Sequence, residues 1–261
     1  MTDATILQSI TETFIHNEAV GGDYGSLAEL APDMTETEAY QVQADGVAAL
    51  LSRGDTIVGK KIAATSAASL KMLGLEEPAY GELLASMSID NGGNVAASRF
   101  ANPRLECEIA FRLSQPLTGP DVSAADVLAA TDEVMAAFEL VDLRNRDWSH
   151  TMREVVCYDG LAKHYLLADQ AFSADGLDLK NLAVTLSKNG EQVATGDGTA
   201  VLGNPLVAVA WLANKLISQG RMLNAGDIIL TGTMTPPQPM VAGDRFEATF
   251  DHLGSVAIDI V

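Results

Sequence analysis

Two glutamates, Glu106 and Glu108, lie two residues apart in residues 105–113, a segment that otherwise has the composition of a buried strand. Side chains alternate between the two faces of a strand, so both carboxylates share one face. If that face is dry, one of them must take up a proton or find a cation. A hard divalent cation with oxygen ligands would meet this need. The alternative is an amphipathic strand with a solvated polar face and Arg112 as a partial counter-charge, and the segment alone allows both.

A third carboxylate, Glu139, lies within residues 134–143, whose apolar composition predicts another strand. Burying an unpaired carboxylate is costly, on the order of several kcal/mol. We therefore expect Glu139 to be paired with a cationic group, protonated or bound to a metal ion.

The composition limits the classes of partner. With 35 acidic and 16 basic residues the formal charge is −19, which argues against a nucleic-acid or anionic-membrane surface, where Lys and Arg supply the attraction. A small anionic substrate is still compatible, provided that lysine, arginine, backbone N–H groups or a metal offset the charge locally. The hydrophobic share of 48% and the charged share of 20% are those of a folded protein rather than a disordered one.

Cys107 and Cys157 are the two cysteines, and no CxxC spacing supports a disulfide framework or a structural zinc site. We expect a reduced, cytoplasmic setting. Residues 1–17 lack both a basic start and a continuous apolar core, so a signal peptide is not expected. The longest apolar stretches also fall short of a membrane span.

The elements that position these residues divide into two regions. Helical spacing over residues 6–15 and 35–52, with Thr35 and Glu38 as a capping pair, predicts an N-terminal helical region over residues 1–55. Gly46 lies on the apolar face of the second helix and weakens that prediction. A catalytic mixed-β domain is predicted over residues 56–261.

In that second region, glycine and proline positions separate short elements. Helices are predicted at 66–73, 123–133 and 205–218, a turn at 77–81, and a short element at 83–89. Asn189-Gly190 predicts a hairpin. Residues 144–159, with Trp148, His150 and Arg153, predict a loop over a site. Strands are predicted at 57–63, 105–113, 134–143, 182–187, 192–198, 228–232, 245–250 and 255–261. Strands dominate, so the class is α+β with a closed or strongly curved sheet.

Six short motifs follow one another along nearly the whole chain. They are Val58-Gly59-Lys60-Lys61-Ile62 with Thr65-Ser66, Glu77-Pro78-x-Tyr80-Gly81, Pro103-Arg104-Leu105-Glu106-Cys107-Glu108, Glu139-Leu140-Val141-Asp142, Val201-Leu202-Gly203-Asn204-Pro205 with Ala210-Trp211-Leu212-Ala213-Asn214, and Ala225-Gly226-Asp227-Ile228-Ile229-Leu230-Thr231-Gly232. In this order they resemble the 2-keto-4-pentenoate hydratase and 4-oxalocrotonate decarboxylase family of the fumarylacetoacetate hydrolase superfamily. The resemblance implies a mixed β-roll or barrel of the fumarylacetoacetate hydrolase type with an N-terminal helical region.

The resemblance also implies a metal site, in which Glu106, Glu108 and Glu139 bind one Mg2+ or Mn2+. The donor set agrees, since three carboxylates without a histidine cluster suit a hard cation that keeps open positions for water and substrate. A 2-oxo or 2-hydroxy-2-enoic acid could chelate the ion through its carboxylate and its C2 oxygen. The metal would then stabilise the negative charge at that oxygen.

Further site residues follow from the same resemblance. Lys61 matches the family lysine, and a nearby metal would lower its pKa, so that it moves a proton or anchors the substrate carboxylate. Lys60 is expected at a solvated strand end, because neighbours in a strand face opposite ways. Thr231 resembles the substrate-carboxylate contact, with a plain strand-ending threonine as the alternative. Leu230 and Ser66 are expected beside the substrate.

The chain departs from the family pattern at two places. Ala79 stands where many hydratases carry an acidic residue, and Gly160 follows Asp159 where the family has an Asp-Asn pair. Asp159 is expected to be catalytic, and the missing groups leave the identity of the acid/base open. An apolar residue at the first position favours a decarboxylase, whereas the helix around residues 210–214 is hydratase-like. His150 and His164 match no family position and are expected to be surface or core histidines.

The expected function is a divalent-metal-dependent hydratase that adds water to a 2-hydroxy-2,4-dienoate in aromatic catabolism and gives a 4-hydroxy-2-oxo acid. The alternatives are a 4-oxalocrotonate-type decarboxylase and a non-catalytic scaffold partner of such an enzyme. Carbon–carbon bond hydrolysis would need a water-activating His-Glu dyad, which is not evident early in the sequence. We further expect a homo-oligomer and a complex with a pathway hydratase or decarboxylase.

Overall fold

The computed structural model describes residues 2–144 and 151–261. The helices in these ranges are α1 (Ala4–Val20), α2 (Leu27–Leu30), α3 (Glu36–Ser52), α4 (Ala67–Leu73), α5 (Ala124–Ala130), α6 (Met152–Cys157) and α7 (Pro205–Ser218). The strands are β1 (Ile57–Ala63), β2 (Ala79–Leu84), β3 (Asn94–Val95), β4 (Pro103–Leu113), β5 (Thr131–Asp142), β6 (Ala162–Leu167), β7 (Ala183–Lys188), β8 (Glu191–Asp197), β9 (Ile228–Leu230), β10 (Gln238–Pro239), β11 (Arg245–Phe250) and β12 (Gly254–Ile260).

The strands form two mixed sheets. The larger runs in the order β2-β1-β9-β4-β5-β6, with β10 paired to β4, and the smaller runs β3-β12-β11-β7-β8. Most neighbours are antiparallel, whereas β1 with β9 and β12 with β3 are parallel. Long strands β4 and β5 form the centre of the larger sheet, and most of their residues are buried. The predicted α+β class with mixed sheets is confirmed.

Two N-terminal helices, α1 and α3, were both predicted, and α1 is longer than its pattern indicated. The capping box of Thr35 and Glu38 begins α3 as expected. Gly46 is required on the apolar face, because a Cβ there would lie 2.1 Å from Cδ1 of Phe14 on α1. Close packing of α3 on α1 therefore explains why a glycine stands within this helix.

The N-terminal helices share their core with later parts of the chain. Phe14 and Tyr24 belong to the same buried apolar cluster as Val155 and Tyr158. Glu18, near the end of α1, forms buried ion pairs with Arg144 and Lys163, in elements more than 120 residues away. The boundary at residue 55 stays a prediction.

Two segments that were predicted as a turn and a loop contain regular secondary structure. The prediction of a turn at 77–81 is wrong after Pro78, because Ala79–Leu84 is a fully buried strand that pairs with β1. Residues 83–89 are the end of that strand and a 3₁₀ turn, Ala85–Met87. In the predicted loop 144–159, Met152–Cys157 is a helix with Val155 and Val156 buried. Trp148 and His150 lie outside the described residues.

Helix α5 ends earlier than predicted. It stops at Ala130, and β5 begins at Thr131, because the β4 partner strand extends far enough to pair residues 131–133. The N-cap at Ser123 and the hairpin at Asn189-Gly190 are confirmed.

One segment, Gly198–Ser218, is long and apolar enough by composition to cross a membrane, so the expectation that no stretch reaches this length is wrong there. Its helix, α7, begins and ends where the sequence predicted, with Asn204 as N-cap and Pro205 in the first turn. Half of its residues are buried, including Val209, Leu212 and Leu216, and these belong to the main apolar core. The segment thus has the packing of a core helix.

Candidate active site

The three predicted ligands meet in the middle of the larger sheet. Glu106 on β4 is the direct cross-strand partner of Glu139 on β5, and Glu108 projects from the same face of β4 one pleat further on. One carboxylate oxygen from each of the three lies within 4.8 Å of the others. Glu108 and Glu139 are fully buried, and Glu106 is half-buried.

The polar atoms of this cluster fit a bound cation. Oε2 of Glu108 accepts a hydrogen bond from the backbone N–H of Gly232 at 2.7 Å. Its other oxygen, and Oε1 of Glu139, are buried without a hydrogen-bond partner. Leaving buried acceptors unsatisfied costs about 1–3 kcal/mol each, and more for charged groups. An oxygen-preferring divalent ion would satisfy these atoms, and the described part of the chain offers no histidine or cysteine at the cluster.

The electrostatics of the cluster lead to the same conclusion. Burial raises the pKa of Glu106 to about 7, with Glu139 adding to the shift and Lys61 opposing it. Burial, together with Glu139 and Glu106, also raises the pKa of Glu108 well above its usual value. Without a cation, therefore, one or more of these carboxyls would hold a proton at neutral pH.

Lys61 places an ammonium group beside the cluster. Its Nζ lies 2.9 Å from Oε2 of Glu139 and donates a hydrogen bond to the carbonyl of Gly160, also at 2.9 Å. Burial alone would lower the pKa of Lys61, but Glu139, Glu106 and Glu108 outweigh burial, so the pKa is raised. The lowered pKa expected beside a bound metal stays a prediction, because the raised pKa reflects the protein groups alone.

The neighbouring Lys60 points to the other face, as strand alternation requires. It is not at a solvated strand end, and that prediction is wrong. Its side chain is buried and lies 2.6 Å from Oε2 of Glu82, which is its cross-strand partner on β2. Because a buried ammonium needs a counter-charge, the pairing with Glu82 accounts for its burial.

A cavity of about 510 Å³ opens beside the cluster, with Lys61 and Glu106 in its wall. Much of the remaining wall is apolar. The lining residues include Ala63, Ala68, Met72, Leu73, Val141, Leu143, Val155 and Leu161, with Thr65, Ser66, Ser69, Arg104, Thr233 and Thr235 as polar members. A volume of this size can hold a small organic acid.

The remaining predicted site residues are placed differently from one another. Ser66 lines the cavity, although its hydroxyl also caps α4 by accepting from the N–H of Ser69 at 3.1 Å. Leu230 is the last residue of β9 and Thr231 follows it. Both are buried, and neither belongs to the described cavity wall. The Thr231 hydroxyl donates to the carbonyl of Ile109 at 2.9 Å. The structure brings Gly232 and Thr233 to the wall instead.

Asp159 is fully buried behind the wall, whereas Gly160 and Leu161 line it. Oδ1 of Asp159 accepts from the backbone N–H of Glu82 at 2.7 Å, and Oδ2 has no partner. Burial raises the pKa of this carboxyl to about 8. Ala79, the other departure from the family pattern, is a buried strand residue opposite Ala63.

Two residues outside the cluster are placed as the sequence predicted. Nδ1 of His164 lies 3.2 Å from the Met87 carbonyl, and burial lowers the pKa of His164 to about 4, as for a core histidine. Strand alternation predicts that Cys107 points away from the glutamates as a buried small hydrophobe. It does face the apolar core, where burial raises its pKa to about 12.

Backbone groups were missed from the sequence. The carbonyl of Gly160 binds Lys61, and the N–H of Gly232 binds Glu108. Both glycines have positive φ, +65° and +104°, and follow predicted site residues in the chain. A glycine next to a candidate catalytic residue was the available signal.

Comparisons with known proteins identify the family to which the chain belongs. A model of the fumarylacetoacetate (FAA) hydrolase C-terminal family matches residues 71–261. The chain is 38% identical over 234 residues to the 2-hydroxyhexa-2,4-dienoate hydratase of Comamonas testosteroni, with 89% of each protein covered. This chain belongs to the fumarylacetoacetate hydrolase family. Within that family it lies in the hydratase and decarboxylase branch that the six motifs indicated.

A hydratase and a decarboxylase are equally identical to this chain. It is 38% identical over 226 residues to a 4-oxalocrotonate decarboxylase from a Pseudomonas species, covering 87% of this chain and 86% of that one. A solved 4-oxalocrotonate decarboxylase from Pseudomonas putida, complexed with magnesium and adipate, superposes with a TM-score of 0.95 at 34% identity, covering 100% of this chain and 99% of that one. The predicted fold type is confirmed, and this family member is a lyase of the hydratase and decarboxylase type.

Proposed function

We propose that this protein is a divalent-metal-dependent hydratase that adds water to a 2-hydroxy-2,4-dienoate of the 2-oxopent-4-enoate type. The product would be a 4-hydroxy-2-oxo acid, formed in the catabolism of aromatic compounds. The observation that carries the proposal is a cluster of three glutamates of which Glu106, together with the neighbouring Lys61, lines a mainly apolar cavity. Charged groups at one edge and apolar side chains elsewhere match a substrate with one carboxylate and an apolar tail.

The residues would divide the work between them. Glu106, Glu108 and Glu139 would hold Mg2+, or Mn2+ as the second choice, and a bound cation would supply Lewis-acid stabilisation of negative charge at the substrate C2 oxygen. The ammonium of Lys61 lies within reach of the same substrate end, where it would anchor the carboxylate or exchange a proton. Apolar side chains such as Met72 and Val141 would hold the dienoate tail and restrict water to one approach.

A specific observation favours the second candidate function, decarboxylation of a 2-oxo-3-enedioate. Arg104 lies two residues before Glu106 on the same face of β4, and its side chain lines the cavity. Its guanidinium is fixed by hydrogen bonds to Oδ1 of Asn102 at 2.7 Å and the Pro103 carbonyl at 2.8 Å. A fixed guanidinium is a suitable contact for a second substrate carboxylate.

A direct assay distinguishes the two functions. Purified protein is incubated separately with 2-hydroxypenta-2,4-dienoate and 2-oxohex-3-enedioate, with Mg2+ or with EDTA, while ultraviolet absorbance and CO2 release are followed. We expect Mg2+-dependent loss of the dienoate without CO2, and formation of 4-hydroxy-2-oxopentanoate.

Other outcomes of this assay have defined meanings. CO2 release from the dicarboxylate, with no turnover of the dienoate, would replace the hydratase with the decarboxylase. Tight Mg2+ binding without turnover of either compound would favour the non-catalytic scaffold. Turnover that persists in EDTA would contradict the metal-dependent mechanism itself.

The remaining proposals concern the setting of the enzyme. We propose a cytoplasmic homo-oligomer that associates with a pathway hydratase or decarboxylase. Both cysteines are free and buried, which is compatible with a reducing compartment. Light scattering on the purified protein measures the oligomer, and co-elution with a purified relative of the other activity tests the complex.

A further inference from the structure

The turn that follows Tyr158 has an unusual backbone. Asp159, Gly160 and Leu161 have φ values of +55°, +65° and +65°, so three consecutive residues occupy the left-handed region. Non-glycine residues rarely adopt this conformation, and they keep it only where surrounding contacts enforce it. The contacts that hold this turn in the left-handed conformation therefore indicate its structural role.

The first contact fixes the turn to strand β2. Oδ1 of Asp159 accepts from the backbone N–H of Glu82, and the Asp159 carbonyl lies so close to Gly81 that a Cβ on Gly81 would be 2.2 Å from it. Strand β2 is itself held in place, because the Glu82 carboxylate binds Lys60 and Arg221. Asp159 thus uses one oxygen as a hydrogen-bond acceptor, which does not require a negative charge.

The second contact reaches the site. The carbonyl of Gly160 accepts the hydrogen bond from Nζ of Lys61, whose other neighbour is Oε2 of Glu139. A Cβ on Gly160 would lie 2.6 Å from Cδ of Lys61 and 3.4 Å from Cε. Any side chain at residue 160 would therefore push the lysine stem aside. The glycine that replaces the family amide makes room for this position of Lys61.

We propose that the turn Asp159–Leu161 is a positioning device for Lys61, in which Gly160 supplies both the acceptor and the space and Asp159 anchors the turn to β2. Asp159 is then a positioning residue and not a catalytic acid or base. This inference rests on the proposed function only in assuming that Lys61 acts on the substrate. It predicts that the acceptor oxygen of Asp159 matters and that its ionisation does not.

The test compares four variants of the Mg2+-loaded enzyme. Asp159→Asn keeps the acceptor, Asp159→Ala removes it, and Gly160→Ala adds the clashing Cβ. Gly176→Ala is the matched control, because Gly176 also has positive φ, +79°, but has nothing within 4 Å of its Cβ position. For each variant we would measure kcat and KM, the pH profile of kcat, Mn2+ binding and thermal unfolding.

We expect Gly160→Ala and Asp159→Ala to lose about 100-fold in kcat/KM, the effect of displacing a reacting group by about 1 Å. Both should still bind Mn2+. Gly160→Ala should unfold below Gly176→Ala, because its Cβ also lies 3.3 Å from the Gly81 backbone N, but it should stay folded at the assay temperature. Gly176→Ala should keep wild-type activity. Asp159→Asn should retain most of the activity with the wild-type pH profile. Asparagine as inactive as alanine would overturn the inference, because the carboxyl proton would then be used. Wild-type kcat/KM in Gly160→Ala would also overturn it.

Failure of the proposed function is recognised separately, as absence of turnover by the wild type. In that case a crystal structure of Gly160→Ala decides the positioning role. Separation of Lys61 Nζ from the Glu139 carboxylate beyond about 4 Å, the limit for an ion pair, would support the inference. An unchanged position of Lys61 would overturn it.

Discussion

Glu106 on β4 and Glu139 on β5 are direct cross-strand partners. Two like charges at such a position destabilise a sheet. Glu108 adds a third charge on the same face, and Lys61 offsets only one. Ionised together, the three carboxyls would leave an excess of negative charge at the centre of the sheet, and without a cation protons on one or more of them must relieve it. A divalent cation would remove this repulsion, which connects the stability of the fold to the loading of the site.

Mg2+ should stabilise the protein measurably. A ligand at 100 times its Kd that binds only the folded state adds about 2.7 kcal/mol, which for a chain of this size raises Tm by roughly 5–10 °C. Differential scanning calorimetry in saturating Mg2+ and in EDTA measures the shift. Identical unfolding temperatures in the two buffers would argue against a cation at the glutamates.

Glu139→Gln should abolish metal-dependent turnover, with a loss of 100-fold or more as an order of magnitude, because it removes a charged ligand and the ion-pair partner of Lys61. Mn2+ affinity should fall with it. Glu133→Gln is the matched control, since Glu133 lies on the same strand but pairs with Arg112 at the exposed surface. If both variants bind Mn2+ equally well, Glu139 is not a ligand.

Lys60→Met should destabilise the protein by about 2 kcal/mol, because it leaves the buried Glu82 carboxylate with Arg221 as its remaining partner. Mn2+ binding should stay unchanged, since Lys60 faces away from the glutamates. Arg245→Gln, which breaks an exposed pair with Asp259, should cost less than about 1 kcal/mol. Urea unfolding gives both values, and a neutral Lys60→Met would show that the buried pair contributes no net stability.

Asp159 should make stability depend on pH. Burial raises its folded-state pKa to about 8 from an ordinary value near 3.8, so the folded protein holds a proton that the unfolded chain releases. This contribution is complete below about pH 4 and is lost as pH rises through about 8, by at most about 1.4 kcal/mol for each pH unit crossed. The difference in unfolding free energy between wild type and Asp159→Asn, measured at pH 5 and pH 9, should widen in favour of asparagine. A constant difference would contradict the raised pKa.

Gly46→Ala should destabilise the protein, against the usual preference of helices for alanine. The added Cβ would lie 2.1 Å from the ring of Phe14, and overpacking of this kind costs about 1–3 kcal/mol. Ala48→Gly at an exposed position of the same helix isolates the propensity effect, with an expected loss of about 1 kcal/mol. Stabilisation by Gly46→Ala would mean that the two helices separate easily.

The carboxylate cluster could be anticipated, because strand patterns within short segments of the sequence indicate it. Strand alternation alone puts Glu106 and Glu108 on one face, and an apolar run marks Glu139 as a buried carboxylate. That Glu139 pairs with Glu106, and not with a residue further along β4, depends on the register of two strands. The residues alone did not fix that register, and the family resemblance supplied the grouping.

The surroundings of the lysines could not be anticipated, because they depend on contacts between distant segments. Pro78 and Gly81 predicted a turn, but Gly81 is a strand glycine that lets the Asp159 carbonyl approach. Because strand β2 was not predicted, the sequence did not indicate that Glu82 is the partner of Lys60. The same contact with residue 159 places Gly160 under Lys61, 99 residues away in sequence.

The core shared by Phe14 and Tyr158 affects how the chain folds during synthesis. Helices α1 and α3 leave the ribosome long before α6, which packs on α3, and before Tyr158, which packs on Phe14 of α1. At about 5–20 residues per second, their apolar faces wait on the order of ten seconds for Tyr158 to emerge. During that interval these apolar residues lack the partners that bury them in the folded protein, and slow codons between α3 and α6 would lengthen the exposure.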